Sequence, residues 1–268
     1  MEQITSTQNQ KIKNLVLLQQ KSSERRKAGL FVVEGQREIM HCVTNGYVID
    51  SLFTLDEALG MDILCQQTIL SGSAPMVYLV NQKVYEKIAY RGGTEGIIAT
   101  VRIKEHTLAD LQLSESPLVV VLESVEKPGN LGAILRSADA AGVDAVIVCD
   151  SLTDLYNPNL VRSSIGAIFS VPCVACSSDE CIAFLKERGI QILTAQLQDS
   201  SLYYDTDMKR PTAIVMGTES TGLTDVWRKA ADAHIRIPML GKLDSLNVSV
   251  SAAVLMYEAV RQREVHSS

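Results

Sequence analysis

Short apolar runs alternate with amphipathic stretches over the second half of the chain. Five runs rich in β-branched residues predict strands at Leu118 to Leu122, Ala145 to Cys149, Ile190 to Ala195, Ala213 to Met216 and Ile235 to Ile237. Helical patterns separate these runs at residues 131–141, 158–165, 178–188 and 224–230, and a last helix is predicted over 248–263. Alternation of this kind is typical of a parallel sheet covered by helices on both faces. The second half therefore predicts an α/β domain.

The first half shows a similar alternation on a smaller scale. Its patterns predict helices over residues 8–20, 36–45 and 81–89 and strands at Leu30 to Val33, Val48 to Phe53, Val77 to Val80 and Gly96 to Arg102. The polar segment KEHTLADLQLSESP, Lys104 to Pro117, has the composition of an interdomain connection. We therefore predict two α/β domains, residues 1–104 and 118–268, joined by a linker over residues 105–117.

Composition indicates a folded protein without metal or disulfides. Hydrophobic residues make up 46% of the chain and charged residues 21%, which suits a well-buried core. The first residues lack an apolar signal core, and no apolar run approaches the roughly 20 residues that span a bilayer, so a cytoplasmic location is expected. The six cysteines are interpreted as buried thiols. Cys173 and Cys176 have metal-ligand spacing, but no second pair completes a four-ligand site, so no metal site is expected.

Charge is distributed unevenly along the chain. The net charge is −6, yet residues 1–104 carry 12 Lys or Arg against 10 Asp or Glu, so the first half is slightly basic. A basic cluster in that half can neutralise RNA phosphates, although a solvated helix face would have the same composition. The candidate RNA-binding residues are Lys11, Lys13, Lys21, Arg25, Arg26 and Lys27.

Three loops follow predicted strands in the second domain, where open parallel sheets bind their ligands. In the first loop, Pro128 and Gly129 shape a turn, Asn130 is predicted to cap a helix, and Arg136 lies six positions further along that helix. In the second, Gly217 permits close backbone approach to a ligand, and Glu219 places a carboxylate at a helix start.

The third loop leaves a strand at a proline and enters a small-residue helix. Ser245 and Asn247 lie at the start of that helix, where capping alone would explain both residue types. The helix face with Ser249, Ala252 and Ala253 allows another backbone to pack closely.

Motifs that are missing from the sequence exclude several chemistries. There is no GxxxxGK[ST], which disfavours a P-loop nucleotidase, and no GxGxxG after a strand, which disfavours dehydrogenases and the common Rossmann-like methyltransferases. The four histidines are scattered without matching cysteine or carboxylate spacing, so none is a convincing base or metal ligand.

The three loops together resemble a known family. PGNLGAILRSADAAG, IVMGTESTGL and IRIPMLGKLDSLNVSVSAAVLMYEAVRQR are similar to the three ordered motifs of the SpoU (TrmH-like) branch of the SPOUT RNA 2′-O-ribose methyltransferases. The first domain, with FVVEGQREI near its start, is similar to the L30e-like substrate-binding domain of the ribosomal RNA members. The resemblance implies a mainly parallel sheet with a deep trefoil knot, a homodimer formed through the C-terminal domain, and S-adenosylmethionine as cofactor.

The resemblance also implies roles for individual residues. Gly217, Ile237, Met239 and Leu246 would line the cofactor pocket. Arg136 matches the family's essential arginine, and Asn130, Glu219, Ser245 and Asn247 match its other polar motif positions. Because a guanidinium normally stays protonated, we expect Arg136 to grip a substrate phosphate, which orients the ribose and accepts its proton.

The leading hypothesis is therefore a 2′-O-methyltransferase that acts on ribosomal RNA, 23S RNA above all. Transfer RNA is the alternative substrate, although the minimal transfer RNA enzymes of this branch lack a separate N-terminal domain. From another class, the chain could be a non-catalytic RNA-binding factor on the same fold. A nucleotide-dependent oxidoreductase needs the missing glycine fingerprint and ranks last.

Overall fold

A computed structural model describes residues 1–90, 95–125, 127–151, 154–218, 221–243 and 245–264. Its twelve described strands and eleven described α-helices are, in chain order, β1 (Glu2–Ile4), α1 (Gln10–Gln20), α2 (Ser22–Ala28), β2 (Leu30–Glu34), α3 (Gln36–Thr44), β3 (Ile49–Thr54), α4 (Glu57–Ser71), β4 (Met76–Val80), α5 (Gln82–Ile88), β5 (Ile97–Arg102), β6 (Leu118–Glu123), α6 (Pro128–Ala140), β7 (Ala145–Cys149), α7 (Pro158–Ser164), α8 (Ala167–Ser170), β8 (Cys173–Cys176), α9 (Ser178–Glu187), β9 (Gln191–Ala195), β10 (Ser201–Leu202), β11 (Thr212–Met216), α10 (Asp225–Ala230), β12 (Ala233–Arg236) and α11 (Val248–Glu264). Among these helices, none has both the length and the apolar character needed to cross a membrane.

The chain forms two compact units, and one segment belongs to a different unit from the one predicted. The first unit contains Met1–Glu105 and Asp154–Ser170, and the second contains His106–Thr153 and Val171–Ser268. Residues 154–170, with α7 and α8, had been assigned to the second domain because a helical pattern between two strands suits a crossover helix. By their contacts, residues 154–170 therefore group with the first unit, whereas the predicted domain bounds, residues 1–104 and 118–268, stay a prediction.

Aromatic packing explains why residues 154–170 belong to the first unit. Tyr156 stacks on Phe31 of β2 with ring centroids 4.3 Å apart, and Phe169 meets Tyr47 edge-on at 5.1 Å. The hydroxyl of Tyr156 also donates to the carbonyl oxygen of Lys104 at 2.6 Å. Aromatic pairs of this geometry add stability beyond the area they bury, so the segment completes the core of the first unit.

The first unit is built on a mixed five-stranded sheet with the order β1-β4-β3-β5-β2. Strand β5 runs antiparallel to β2 and β3, whereas β4 runs parallel to β1 and β3. Three of its helices, α2, α4 and α8, and its first strand, β1, were not predicted. In α4 the apolar residues do not form one stripe, since Ile63 is buried while Ile69 and Leu70 are exposed. The sequence of α4 therefore shows no helical periodicity of apolar residues.

Arg25 explains why α2 was missed and why one sequence prediction fails. This side chain is the buried residue of α2, and only 2% of its surface is exposed. Its Nε lies 2.6 Å from Asp154 Oδ2, and its Nη1 donates to the carbonyl oxygen of Leu18 at 2.6 Å. A buried guanidinium that is satisfied in this way holds elements of the first unit together. We therefore remove Arg25 from the predicted RNA contacts.

The second unit is built on a seven-stranded sheet with the order β10-β12-β9-β11-β6-β7-β8. All six strand pairs are parallel, which confirms the predicted α/β class and its parallel sheet. Strands β6, β7 and β11 are fully buried along their lengths, as expected for strands covered on both faces. The trefoil knot stays a prediction.

Helix α11 is held by packing against α6 and by hydrogen bonds near its C-terminal end. Ala252, one of its small residues, is buried. Near the C-terminal end, the guanidinium of Arg263 donates to the carbonyl oxygens of Ser116 at 2.8 Å and Met208 at 3.0 Å. Burial lowers the pKa of Arg263. These bonds hold α11 in place beside the ends of the central strands.

Candidate active site

A pocket of about 390 Å³ lies at the carboxyl ends of three neighbouring strands, β9, β11 and β12. Ala195, Met216 and Arg236 are the last residues of these strands, and all three line the pocket. Two loops and the start of α11 close it. The other lining residues are Gln196, Leu197, Gln198, Gly217, Thr218, Gly222, Leu223, Arg228, Ile235, Ile237, Met239, Ser245, Leu246, Val248, Ser251 and Leu255.

The four residues expected to contact the cofactor lie together in this pocket. Gly217, Ile237, Met239 and Leu246 all contribute to its lining, and so does Ser245. These residues come from two loops that are separated along the sequence and meet because β11 and β12 flank β9 in the sheet. The second and third loops of the sequence analysis therefore form one site.

Gly217 is required for a reason that differs from the predicted one. A Cβ at this position would collide with the carbonyl carbon and oxygen of Gly222 and lie 2.6 Å from the nitrogen of Leu223. Gly222 itself has a φ of +67°, and its amide donates to the carbonyl oxygen of Thr218 at 3.1 Å. The close approach is therefore between two segments of the chain's own backbone, and it closes the loop that forms one wall of the pocket.

Glu123 supports this wall and was not singled out from the sequence. This last residue of β6 is 3% exposed, and its carboxylate accepts hydrogen bonds from the amide of Thr224 at 2.9 Å and from the Thr224 hydroxyl at 2.6 Å. Thr224 immediately precedes α10. A charged residue that ends an otherwise apolar strand is a signal in the sequence that could have revealed it, because buried carboxylates need partners.

Asn247 and Asn130 connect the third loop with the first. The Asn247 side-chain oxygen accepts from the amide of Ser249 at 3.0 Å, so it caps the start of α11 as expected for its position. Its amide nitrogen donates to Asn130 Oδ1 at 3.2 Å. The prediction that Asn130 caps its helix is wrong, because α6 begins at Pro128 with Lys127 as the capping residue. Proline favours the first helical position, so Asn130 lies within the first turn.

Arg136 lies on an exposed position of α6 and is not among the pocket-lining residues. Within the described part of the chain it has no ion-pair partner, so its guanidinium is available to an anion. Glu219 lies outside the described residues. Of the predicted catalytic set, the structure therefore brings together Asn130 and Asn247 and places Ser245 in the pocket lining.

Gln196 contributes a polar group that sequence reasoning missed. Its Nε2 donates to the carbonyl oxygen of Gln198 at 2.9 Å, whereas its buried Oε1 has no hydrogen-bond partner among the described residues. An unsatisfied buried acceptor is costly. Since Gln196 lines the pocket, a ligand that donates a hydrogen bond would satisfy this oxygen.

The basic cluster of the first unit remains largely exposed. Lys13, Lys21, Arg26 and Lys27 are exposed to solvent. Lys11 is half-buried, with its Nζ 2.8 Å from Glu2 Oε2 and 4.2 Å from the Tyr78 ring centroid, and the hydrogen bond to Glu2 is the main reason that its pKa is raised. With Arg25 removed, four unpaired or solvent-facing cations and Lys11 remain as candidates for phosphate contacts.

Two family models match the chain along most of its length. The model of the SpoU rRNA Methylase family matches residues 117–257, and that of the MRM3-like substrate binding domain matches residues 9–99. The second match agrees with the predicted substrate-binding character of the first domain.

Named relatives and a solved structure agree with these matches. The chain is 28% identical to the 23S rRNA (guanosine(2553)-2′-O)-methyltransferase RlmP of Bacillus subtilis (strain 168), over 96% of this chain and 98% of that protein. It is 31% identical to the 23S rRNA (uridine(2479)-2′-O)-methyltransferase of Streptomyces viridochromogenes, over 90% of this chain and 86% of that protein. The AdoMet-bound rRNA methyltransferase of Sinorhizobium meliloti superposes with a TM-score of 0.89 at 28% identity, and 97% of each chain is covered.

The family match covers more than half of the chain, and it contains the strands, loops and helices that form the pocket. The similarity that the three sequence motifs indicated is therefore confirmed. The protein belongs to the SpoU rRNA methylase family.

Proposed function

We propose that this protein transfers the methyl group of S-adenosylmethionine to a ribose 2′-hydroxyl of 23S ribosomal RNA. The observation that carries the proposal is the pocket at the carboxyl ends of β9, β11 and β12, which unites Gly217, Ile237, Met239 and Leu246. The relatives named above act on 23S RNA at the same kind of hydroxyl. The substrate-binding domain match favours ribosomal over transfer RNA as the substrate.

The residues present in the pocket fit S-adenosylmethionine. A volume of about 390 Å³ lies within the range of small-molecule sites. Gln196 Oε1, which accepts no hydrogen bond from the described residues, could accept one from the adenine amine or from a ribose hydroxyl of the cofactor. Arg228 and Arg236 contribute guanidinium groups to the lining, which suit the carboxylate of the methionine moiety. Apolar side chains such as Met239 and Leu246 would cover the flat adenine.

The chain's own residues would position the ribose and manage its proton. When bound, the cofactor supplies an electrophilic methyl group on a sulfonium centre. The attacking hydroxyl is a weak nucleophile until its proton is loosened, and holding both groups in line lowers the barrier. Arg136 would bind the phosphate beside the target ribose, and an oxygen of that phosphate would accept the 2′-hydroxyl proton. The Asn247–Asn130 hydrogen bond would hold the helix of Arg136 against the third loop.

The first unit would supply binding energy through its exposed cations. Each phosphate contact releases counterions, so affinity should fall steeply with salt. Replacing Arg26 and Lys27 together by alanine should remove about two phosphate contacts. The slope of log RNA affinity against log salt concentration should therefore become less steep by about two. Because both side chains are exposed, the double variant should unfold at the same urea concentration as the native protein.

A homodimer formed through the C-terminal unit completes the proposal. Val250 and Tyr257 of α11 are 48% and 49% exposed, and their seven-residue spacing places them on one face of the helix. An exposed apolar face of this kind suits a second copy of the chain. Sedimentation equilibrium should give twice the chain mass, and replacing both residues by aspartate should give the monomer. A native monomer would contradict this part of the proposal.

The central test measures cofactor binding and methyl transfer separately. Titration calorimetry with S-adenosylmethionine should give binding to the native protein and to Arg136→Ala with similar affinity, because Arg136 does not line the pocket. Labelled methyl groups should appear in 23S RNA as 2′-O-methylnucleosides with the native protein, and the Arg136→Ala rate should fall by about 100-fold or more. Arg188→Ala, which removes an exposed arginine at the end of α9, is the matched control.

Each other result points to a specific alternative. If the protein binds the cofactor and methylates transfer RNA but not 23S RNA, the substrate is transfer RNA and the proposal of 23S RNA is wrong. No cofactor binding by the folded native protein would contradict the enzymatic proposal and favour an RNA-binding factor. An active Arg136→Ala variant would remove the proposed role of that residue.

A further inference from the structure

Three cysteines meet at the carboxyl ends of β7 and β8, which β6 separates from the strands that end at the pocket. Cys149 is the last residue of β7, Cys176 is the last residue of β8, and Cys181 lies in the first turns of α9. Their three sulfur atoms all lie within 4.8 Å of one another. None of these cysteines lines the pocket. We refer to Cys149, Cys176 and Cys181 as the thiol cluster.

Strand register and helix placement bring these thiols together. Cys149 and Cys176 are paired in the parallel register of β7 and β8, so their side chains lie on the same face of the sheet. A capping box formed by Ser177 and Glu180 fixes the start of α9 directly after β8. Cys181 packs with Cys149 in one buried core cluster, and Cys176 lies against that cluster.

Surrounding hydrogen bonds hold the first turn of α9 in place. The hydroxyl of Ser178 donates to Asp150 Oδ2 at 2.6 Å, and the indole nitrogen of the buried Trp227 donates to Ser178 Oγ at 2.8 Å. Asp150 directly follows Cys149, and Ser178 lies two residues after Cys176. The segments that carry the cysteines are therefore connected independently of the sulfur atoms.

The spacing and exposure of the thiols suit a soft metal ion. An ion bonded to sulfur at about 2.3 Å separates tetrahedral sulfur ligands by about 3.8 Å, so only a small contraction is needed. Cys149 and Cys181 are fully buried, whereas Cys176 is partly exposed. That partly open side gives the ion a path from solvent, which can supply a water molecule as fourth ligand.

Charge favours a divalent over a monovalent ion. Three thiolates in a largely buried site carry three negative charges, and a divalent ion leaves only one of them uncompensated. The N-terminal end of the ten-residue helix α9 adds a favourable field. We propose that the thiol cluster binds one divalent thiophilic ion of the zinc and cadmium class. This inference does not depend on the proposed methyl transfer.

The position of Cys173 distinguishes this site from the pair suggested by the sequence. Cys173 and Cys176 have CxxC spacing, but within a strand residues three apart point to opposite faces and lie about 10 Å apart. Burial raises the pKa of Cys173 to about 12. Cys173 is therefore the natural control, because it lies on the same strand as Cys176 but is more deeply buried and points to the opposite face.

Cobalt and zinc titrations of the reduced full-length protein test the proposal. Under anaerobic conditions, Co²⁺ should produce a sulfur-to-cobalt charge-transfer band that saturates at one ion per chain, and Zn²⁺ should abolish it. Cys176→Ser, at the partly exposed position, should weaken zinc binding by about 100-fold or more. Cys173→Ser should bind like the native protein, and Cys65→Ser provides a second control at an exposed position.

Three results would contradict the metal site. The folded native protein would give no charge-transfer band, Cys176→Ser would bind zinc as tightly as the native protein does, or folded Cys173→Ser would fail to bind it. Mass spectrometry of the same samples gives a further outcome. A disulfide between two of the three cysteines, formed readily in air by protein that binds no metal when reduced, would indicate a redox pair and contradict the proposal.

Discussion

The pocket and the thiol cluster lie at the same edge of the same parallel sheet, but they are built differently. The pocket is formed by loops after β9, β11 and β12, and in one of its walls the backbone folds closely on itself at Gly217. The thiol cluster is formed by side chains that end ordinary apolar strands and begin a helix. Continuous loop motifs identify the first region, whereas only strand register reveals the second.

The largest expected effect is on cofactor binding, from a substitution in the pocket that leaves the thiol cluster intact. In Gly217→Ala, the new methyl group would collide with Gly222, so the loop must open. We expect cofactor affinity to fall by about 100-fold, equivalent to about 2.8 kcal/mol, with zinc binding unchanged. Titration calorimetry with each ligand measures both quantities.

Gly241→Ala is the matched control for that variant. Gly241 belongs to the third loop, and no atom lies within 4 Å of the position its Cβ would take. Its cofactor affinity should equal that of the native protein. Equal affinities of Gly217→Ala and the native protein would show that the close approach to Gly222 is not needed by the pocket.

An intermediate effect is expected at Glu123, on a strand between the two regions. Glu123→Gln keeps the shape of the side chain but removes the charge that accepts two hydrogen bonds from Thr224. The free energy of unfolding should fall by about 1–3 kcal/mol, as measured by urea denaturation. Glu187→Gln, at an exposed position of α9, should cause almost no change. A stable Glu123→Gln protein would mean that the carboxylate does not support the pocket wall.

The smallest effect concerns apolar contact with the cofactor. Leu246 lines the pocket and is 40% exposed, whereas Leu240 of the same loop is 96% exposed and does not line it. Leu246→Ala should lower cofactor affinity about fivefold, or about 1 kcal/mol, and Leu240→Ala should leave it unchanged. Equal losses in the two variants would remove Leu246 from the binding site.

The sequence predicted five of the seven strands of the second unit's sheet and missed the short strands β8 and β10. Continuous apolar runs identified β6, β7, β9, β11 and β12 to within two residues at each end. Helix α4 was missed because its apolar residues surround the helix, and α2 was missed because Arg25 is its buried residue. In neither helix do apolar residues recur at the spacing that predicts a helix. The place of residues 154–170 depends on aromatic contacts distant in sequence.

The candidate site was predictable where a motif is continuous along the chain. The loops around Gly217 and Ile237 carried glycine and proline signals, and the structure brings them into one pocket. Gln196 was missed because its importance comes from an unsatisfied buried oxygen, which only packing reveals. The meeting of Cys149 with Cys176 and Cys181 depends on β7–β8 register, so the spacing along the chain, from which no metal site was expected, did not reveal it.

Hydrogen exchange with and without S-adenosylmethionine tests the central claim, that the cofactor binds at the ends of β9, β11 and β12. Mass spectrometry of the native protein should show slower backbone exchange in peptides containing Ala195–Gln198, Gly217 and Ile237–Met239. Peptides containing Cys149 or Cys176 should be unchanged by the cofactor and slowed by Zn²⁺. Cofactor protection confined to other segments, or none at saturating cofactor, would contradict the account.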